Sequence, residues 1–430
     1  MPTSKADVAH LLRRAGFGGT PAEIAALTPY DRDEVVERVL DTTAAPPVDT
    51  PADLTSPDLA DWEKAIRVMW WWYDRMATSP TPIVEKMSLF WHGQFCSSIE
   101  KVGRAETMFQ QVRLFHTDGL GSFPSLCRKV ALGPAMLLYL DNAYNVAGSP
   151  NENFARELME LFTLGVNQYT QDDVVASARA WTGHGLSDDL TRYVFHRDRH
   201  DGGQKTFFGR TRNWDGPQVV DEIVTGRKKR VAASFLAAKL WTFLAYPGPE
   251  PAVVDAVVAD YLAGGYEVKR LLRSIFLHPQ FWSEQARTGL VRSPTEVIVA
   301  ALKATGIRAK SAHPEWWAHD MGQALLYPPN VSGWRPNAYW ISSTALWARA
   351  GFARYLTWQA WEKGVLKGSE RHAPADAVQR AFDVFGVDRP STTTRQALVD
   401  WVVAERTAHG WAEVPNLITL SMLTPDFQLA

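Results

Sequence analysis

Cysteine is nearly absent. Two residues in 430, Cys96 and Cys127, cannot staple a chain of this length, and their number leaves open whether they pair or stand as isolated buried thiols. No apolar run reaches the roughly 18 residues that cross a bilayer, so no membrane span is expected. An excess of one charge is missing as well: 45 Lys and Arg face 47 Asp and Glu, a formal net charge of -2, which argues against nucleic acid as a partner. The short run Arg227 to Arg230 reads either as a solvated loop or helix start, or as an anion contact. The first residues have no apolar leader core, and Arg13-Arg14 runs into Ala15-Gly16-Phe17-Gly18-Gly19, so the chain as written is expected in the cytoplasm unless a partner exports it. There is no Gly-x-Ser-x-Gly, no Walker pattern and no Cys-x-x-Cys, so serine-nucleophile, phosphate-loop, zinc-finger and dinucleotide-binding readings all lack a motif.

What is present is a globular balance, 46% hydrophobic and 21% charged, with 18 Trp. Aromatic residues build sugar platforms, but the consecutive Trp70-Trp71-Trp72-Tyr73 points in every helical direction, as deep helix packing requires. Helical periodicity and punctuation recur from end to end. Thr20-Pro21 with Glu23, Thr170 with Asp173, and Ser293-Pro294 with Glu296 are capping-box starts. Only residues 193–208 break the rule: Tyr193-Val194-Phe195 and Lys205 to Phe208 flank Asp201-Gly202-Gly203, which predicts a short hairpin. The expected architecture is all-α, a multi-helix orthogonal bundle with one short β-hairpin near 193–208. Its expected parts are an N-terminal helical hairpin over 1–45, a main helical domain over 58–350, and a C-terminal helical extension over 351–430.

The stretch Ser149 to Gly165 stands at the centre of this reading. Ser149, Pro150 and Glu152 predict a capping box, Gly165 a stop, and Asn153, Arg156, Glu157 and Glu160 fall on one stripe of an otherwise apolar helix over 150–164. Carboxylates on such a helix need a cation or a metal. Glu152 is engaged by its own cap; Glu157 is not, which leaves it as an ion-pair member or as a general base.

Three other places carry chemistry. His92 shares a helix face with Glu85 and Leu89, either as a core histidine or as a ligand. In His196-Arg197-Asp198-Arg199-His200-Asp201, alternation along a strand would turn two imidazoles and a carboxylate the same way, a set a divalent transition metal accepts; surface-turn residues explain the same letters. Lys205 follows as a counter-charge. Pro328-Pro329-Asn330-Val331-Ser332-Gly333-Trp334 forms a rigid loop that lines a pocket or plugs a bundle end, with Asn330 and Trp334 as candidate substrate contacts.

Taken in order, His10 to Gly18, Lys86 to Phe95, Pro150 to Gly165, His200-Asp201 with Lys205-Thr206 and Gly209, and Pro328 to Trp334 resemble the bacterial family known as domain of unknown function 1800. The resemblance implies a largely helical protein that accompanies a companion similar to phosphatases and sulfatases, commonly exported; it implies no settled activity. Where the family has His-Asn-His-Phe this chain has His92-Gly93-Gln94-Phe95, and His184 replaces the family's Trp after Thr-Gly. Gln94 is a poor transition-metal ligand, which weakens a two-histidine site on that helix.

These readings converge on a polar cleft. As a metal-assisted hydrolase, the protein would use His92, His200 and Asp201 as metal ligands, Glu157 as general base and Lys205 as electrostatic stabiliser, with Arg156, Asn330 and Trp334 toward the substrate. The alternatives are a non-catalytic binding or assembly protein working with the phosphatase/sulfatase-like companion, and a carbohydrate-binding scaffold built on its tryptophans.

Overall fold

The fold is organised around the helix Pro82–Gln94, in which almost every side chain is buried. In the computed structural model, which describes residues 2–409 and 414–429, this helix lies between two apolar cores. Ile83, Met87, Trp91 and Phe95 enter the first core with the N-terminal helices and those between 123 and 286. Leu89 enters the second, with helix Asp61–Thr78 and the helices from Pro294–Thr305 onward. Burial on all sides accounts for a helix without an amphipathic pattern.

The protein is all-α with small β elements, as its periodicity predicts. Local caps form where the chain announces them: Thr20 with Glu23, Thr170 with Asp173, and Ser293 with Glu296 each close reciprocal capping boxes. In helix Asp61–Thr78, Trp72 and Tyr73 are fully buried, while Trp70 and Trp71 are half-buried, so the Trp-Trp-Trp-Tyr run is packing. Cys96 and Cys127 are buried and free rather than paired. Among the described residues no helix is long and apolar enough to cross a membrane.

Two local expectations are corrected. The stretch 193–208 does not close as one hairpin: His184–Leu186 pairs antiparallel with Tyr193–Phe195, and Lys205–Phe207 with Arg210–Arg212. The second turn is Phe208-Gly209, both at positive φ (46° and 71°), the geometry of a two-residue hairpin loop. Asp201-Gly202-Gly203 instead links the two ribbons.

The central helix also differs. Asn151 supplies the cap, accepting from the Asn153 N–H, and Glu152 turns to Arg156 and Gln171 instead of to the Ser149 backbone. After Glu152–Glu157 the helix widens into a π turn, Leu158–Thr163, before Gly165 stops it at φ 86°. Widening frees carbonyls that a regular helix would use, and they are met from helix Pro82–Gln94, the spine helix of the fold, as described next.

Candidate functional site

A cavity of about 300 Å3 opens beside the spine helix. One wall is the Leu89, Phe90, Gly93 and Gln94 face of that helix. A second is Lys239, Thr242 and Phe243 of helix Lys229–Leu244, and the third is the loop carrying Trp334, Pro336 and Trp340. Glu296 and Gln323 lie at its floor.

Each wall is held by chain-specific contacts. Gly333 has φ 76°, and a Cβ on it would sit 2.6 Å from the Gly93 carbonyl oxygen and 3.0 Å from the Cys96 Sγ, so only glycine lets the loop lie on the helix. Asn337 ties the loop's far end by accepting from the Val291 N–H at 2.8 Å and donating to the Gly289 carbonyl at 3.2 Å. Gln94 donates to the Leu161 and Phe162 carbonyls of the π turn at 2.9 and 3.1 Å. Gly93 is different: a Cβ there would meet nothing within 4 Å, because it faces the open cavity.

The charges on the lining fall into two kinds. Glu296 closes its own helix cap and bonds to the buried Lys86 ammonium, so its carboxylate is neutralised. Lys239 pairs with no carboxylate among the described residues. It lies exposed on the wall but crowded enough that desolvation lowers its pKa. Arg335, also on the lining, reaches only the Tyr339 hydroxyl and ring, so the cavity presents mostly aromatic and aliphatic surface with two cations, Lys239 and Arg335, that lack a carboxylate partner among the described residues.

The residues proposed for metal and catalysis lie in separate settings. His92 is buried, its Nε2 accepting from the Leu326 N–H at 3.0 Å and its ring edge-on to Trp72; burial alone brings its pKa down to about 3. His200 donates from Nδ1 to the Thr182 carbonyl at 2.8 Å and packs on Phe195. The strand alternation expected for His196, Asp198 and His200 does not exist, because Arg197–Arg199 is a 3-10 turn. Asp201 takes both nitrogens of a fork from Arg179, which depresses its pKa. Lys205 spends its ammonium on the carbonyls of Asp201, Gly203 and Trp214 and on the Asn213 side chain, and so knots this loop. No group of three His, Cys, Asp or Glu placed to hold a metal occurs among the described residues.

Arg156 pairs with Glu152 and Gln171 on the surface. Glu157, half-buried, accepts from no donor among the described residues, and burial together with neighbouring Glu160 raises its pKa. Asn330 is exposed and folds back on Ser332 as a turn cap. Trp334 alone of the sequence-derived set lines the cavity, its ring 5.3 Å from that of His92.

Sequence reasoning missed Lys239, Arg335 and Gly93, which set the cavity's charge and space. It also missed His116, whose Nε2 lies 2.7 Å from the carboxylate of Glu85. Glu85 was matched by spacing to His92 on its own helix, whereas its partners are His116 and Arg75 on neighbouring ones. A helical glycine flanked by aromatics, at Gly93, was the one available signal.

The family described as Protein of unknown function (DUF1800) matches residues 10–429. No curated protein and no solved structure matches the chain.

Proposed function

This chain belongs to that family, whose description names no activity, and from that premise we propose that it is a binding protein for a small amphipathic anion. The observation that carries the reading is Lys239, which with Arg335 stands without a carboxylate partner among the described residues on the wall of a mostly apolar cavity of about 300 Å3. That volume is at the lower end of what small-molecule sites occupy, and a few polar groups in an apolar pocket are what orient such ligands. The ligand's carboxylate or equivalent meets the ammonium, its apolar body lies along Phe90, Phe243 and Trp340, and Trp334 covers it. An unpaired ammonium in an apolar site rejects a cationic head group and gains a charge-assisted bond from an anionic one.

Decanoate, decanol and decylamine, titrated against the full chain by calorimetry, test this directly. Decanoate is expected to bind best. Lys239→Met should weaken decanoate by about tenfold to a hundredfold, the range of a hydrogen bond to a charged group, while leaving decanol unchanged. Gly93→Leu should fill the cavity and abolish both. Failure of all three amphipaths to bind the unaltered protein sinks the reading.

Hydrolysis is the second reading, and Glu157 is the residue that favours it: half-buried, accepting from no donor among the described residues, with its pKa raised by burial and by Glu160. A metal on His92 would have to displace the Leu326 amide from Nε2, and one on His200 would have to bind the nitrogen not engaged with Thr182. Metal analysis of chelator-free protein tests this, with bound metal lost in His200→Ala supporting it and a metal-free protein counting against it.

A further inference from the structure

Between Asp320 and Glu362 the chain contains no acidic residue at all, although Asp and Glu slightly outnumber Lys and Arg overall. This stretch supplies the cavity loop and then the helix Ser343–Glu362, and its outer side is aromatic. Trp347 is 82% exposed and Trp358 64%, with Tyr339, Ile341 and Leu346 also open. On the helix, positions 347, 354 and 358 fall on one face, so the two indoles and Arg354 share it; Trp317 covers that face at Gly351, and exposed Glu362 ends it one turn beyond Trp358. Trp317 packs against Phe352 and Tyr355 of that helix, which sets the exposed Trp316, stacked on His313, beside it. Arg354 pairs with no carboxylate among the described residues, and Arg335 leans on the Tyr339 ring and hydroxyl.

We propose that this face docks on an anionic lipid surface. Large exposed indoles on a folded protein mark an interaction site, and indole and phenol rings are suited to the headgroup level, where one end is apolar and the other wet. Guanidinium groups without internal acids supply the complement to lipid phosphates. A second copy of the chain fits less well, since a two-fold contact would set against itself a face that carries Arg335 and Arg354 in its middle and exposed acids, Asp320 and Glu362, only at its ends. The face begins on the loop that walls the cavity, and the docking does not depend on what the cavity binds.

The test is cosedimentation of the full chain with vesicles of phosphatidylglycerol and phosphatidylcholine, against phosphatidylcholine alone. The expected result is pelleting with the anionic vesicles, lost in Trp347→Ser/Trp358→Ser and weakened in Arg354→Glu, and retained in Tyr144→Ser, an aromatic equally exposed but outside the acid-free stretch. All four substituted positions are exposed, so circular dichroism should show the fold kept. Absence of pelleting, or pelleting indifferent to the double variant, overturns the proposal. A dimer in sedimentation velocity that the double variant dissolves overturns it too, in favour of self-association, as does retention on immobilised glycan without vesicle binding.

Discussion

The Nε2 atom of His92 accepts a hydrogen bond from the backbone N–H of Leu326 at 3.0 Å, between the indoles of Trp72 and Trp334. The imidazole is thus neutral, with its proton on Nδ1, and it acts as the acceptor that anchors the chain entering the cavity loop.

His92 therefore makes the protein acid-sensitive. Its folded pKa, about 3, lies below the ordinary value of 6.5, so below about pH 6.5 the unfolded chain takes up the proton first. Stability is complete above that pH and falls as pH drops toward 3, by about 1.4 kcal/mol per unit from this group. His92→Gln keeps an acceptor near the Nε2 position and removes the titration. Urea midpoints measured from pH 7 to pH 4 should fall less steeply in the variant than in the parent. Equal slopes would show that His92 does not stay neutral in the fold.

Gly333→Ala should cost roughly 2 kcal/mol or more, combining left-handed backbone with a collision against the Gly93 carbonyl. Thermal unfolding reads the loss, and a change in Trp emission reads the displacement of Trp334. An unaffected melting temperature would mean that the loop does not rest on the spine helix.

Gln94→Leu removes the donor shared by the Leu161 and Phe162 carbonyls. Leaving buried carbonyls unmet costs about 1–3 kcal/mol. Hydrogen exchange should speed up in the π turn Leu158–Thr163 but not in helix Gln171–Ala180. Uniform acceleration would point to a global effect instead of this local one.

Glu85→Gln should be the most damaging of the four. The carboxylate is fully buried, bonded at 2.6 Å to Arg75 and at 2.7 Å to His116. Removing one partner of a buried ion pair costs about 3–5 kcal/mol; the Pro46 and Pro47 carbonyls, which also accept from Arg75, hold the loss toward the lower figure. A denaturation midpoint within error of the parent would refute the pairing.

How far the chain could be read in advance depended on the range of each interaction. The Thr20, Thr170 and Ser293 boxes were legible because cap and acceptor are three residues apart. The Ser149 box was not, because Gln171, 19 residues beyond Glu152, competes for its carboxylate. The His196-Asp198-His200 alternation failed for a similar reason: strand partners are chosen by turn geometry elsewhere, here at Phe208-Gly209, and residues outside the ladders lose period-two facing. Trp334 was found because a Pro-Pro-Asn loop is rigid and cannot be helical, while Lys239 sits in a helix where nothing local marks a missing counter-ion.

Sequence by itself determined the helical class, the punctuation of most helices and the absence of a membrane-crossing helix among them, since propensity, caps and apolar periodicity act within a few residues. Tertiary structure alone decided which charges meet. It gave Glu85 to His116 and Arg75, closed Lys205 on its own loop, anchored Leu326 on His92, and left Lys239 without a carboxylate among the described residues, on the same cavity as an open Gly93. The physical reason is that a buried polar group is satisfied by whatever packing brings within about 3 Å, whether that neighbour lies 2 positions away, as for Lys205 and Gly203, or 234, as for His92 and Leu326.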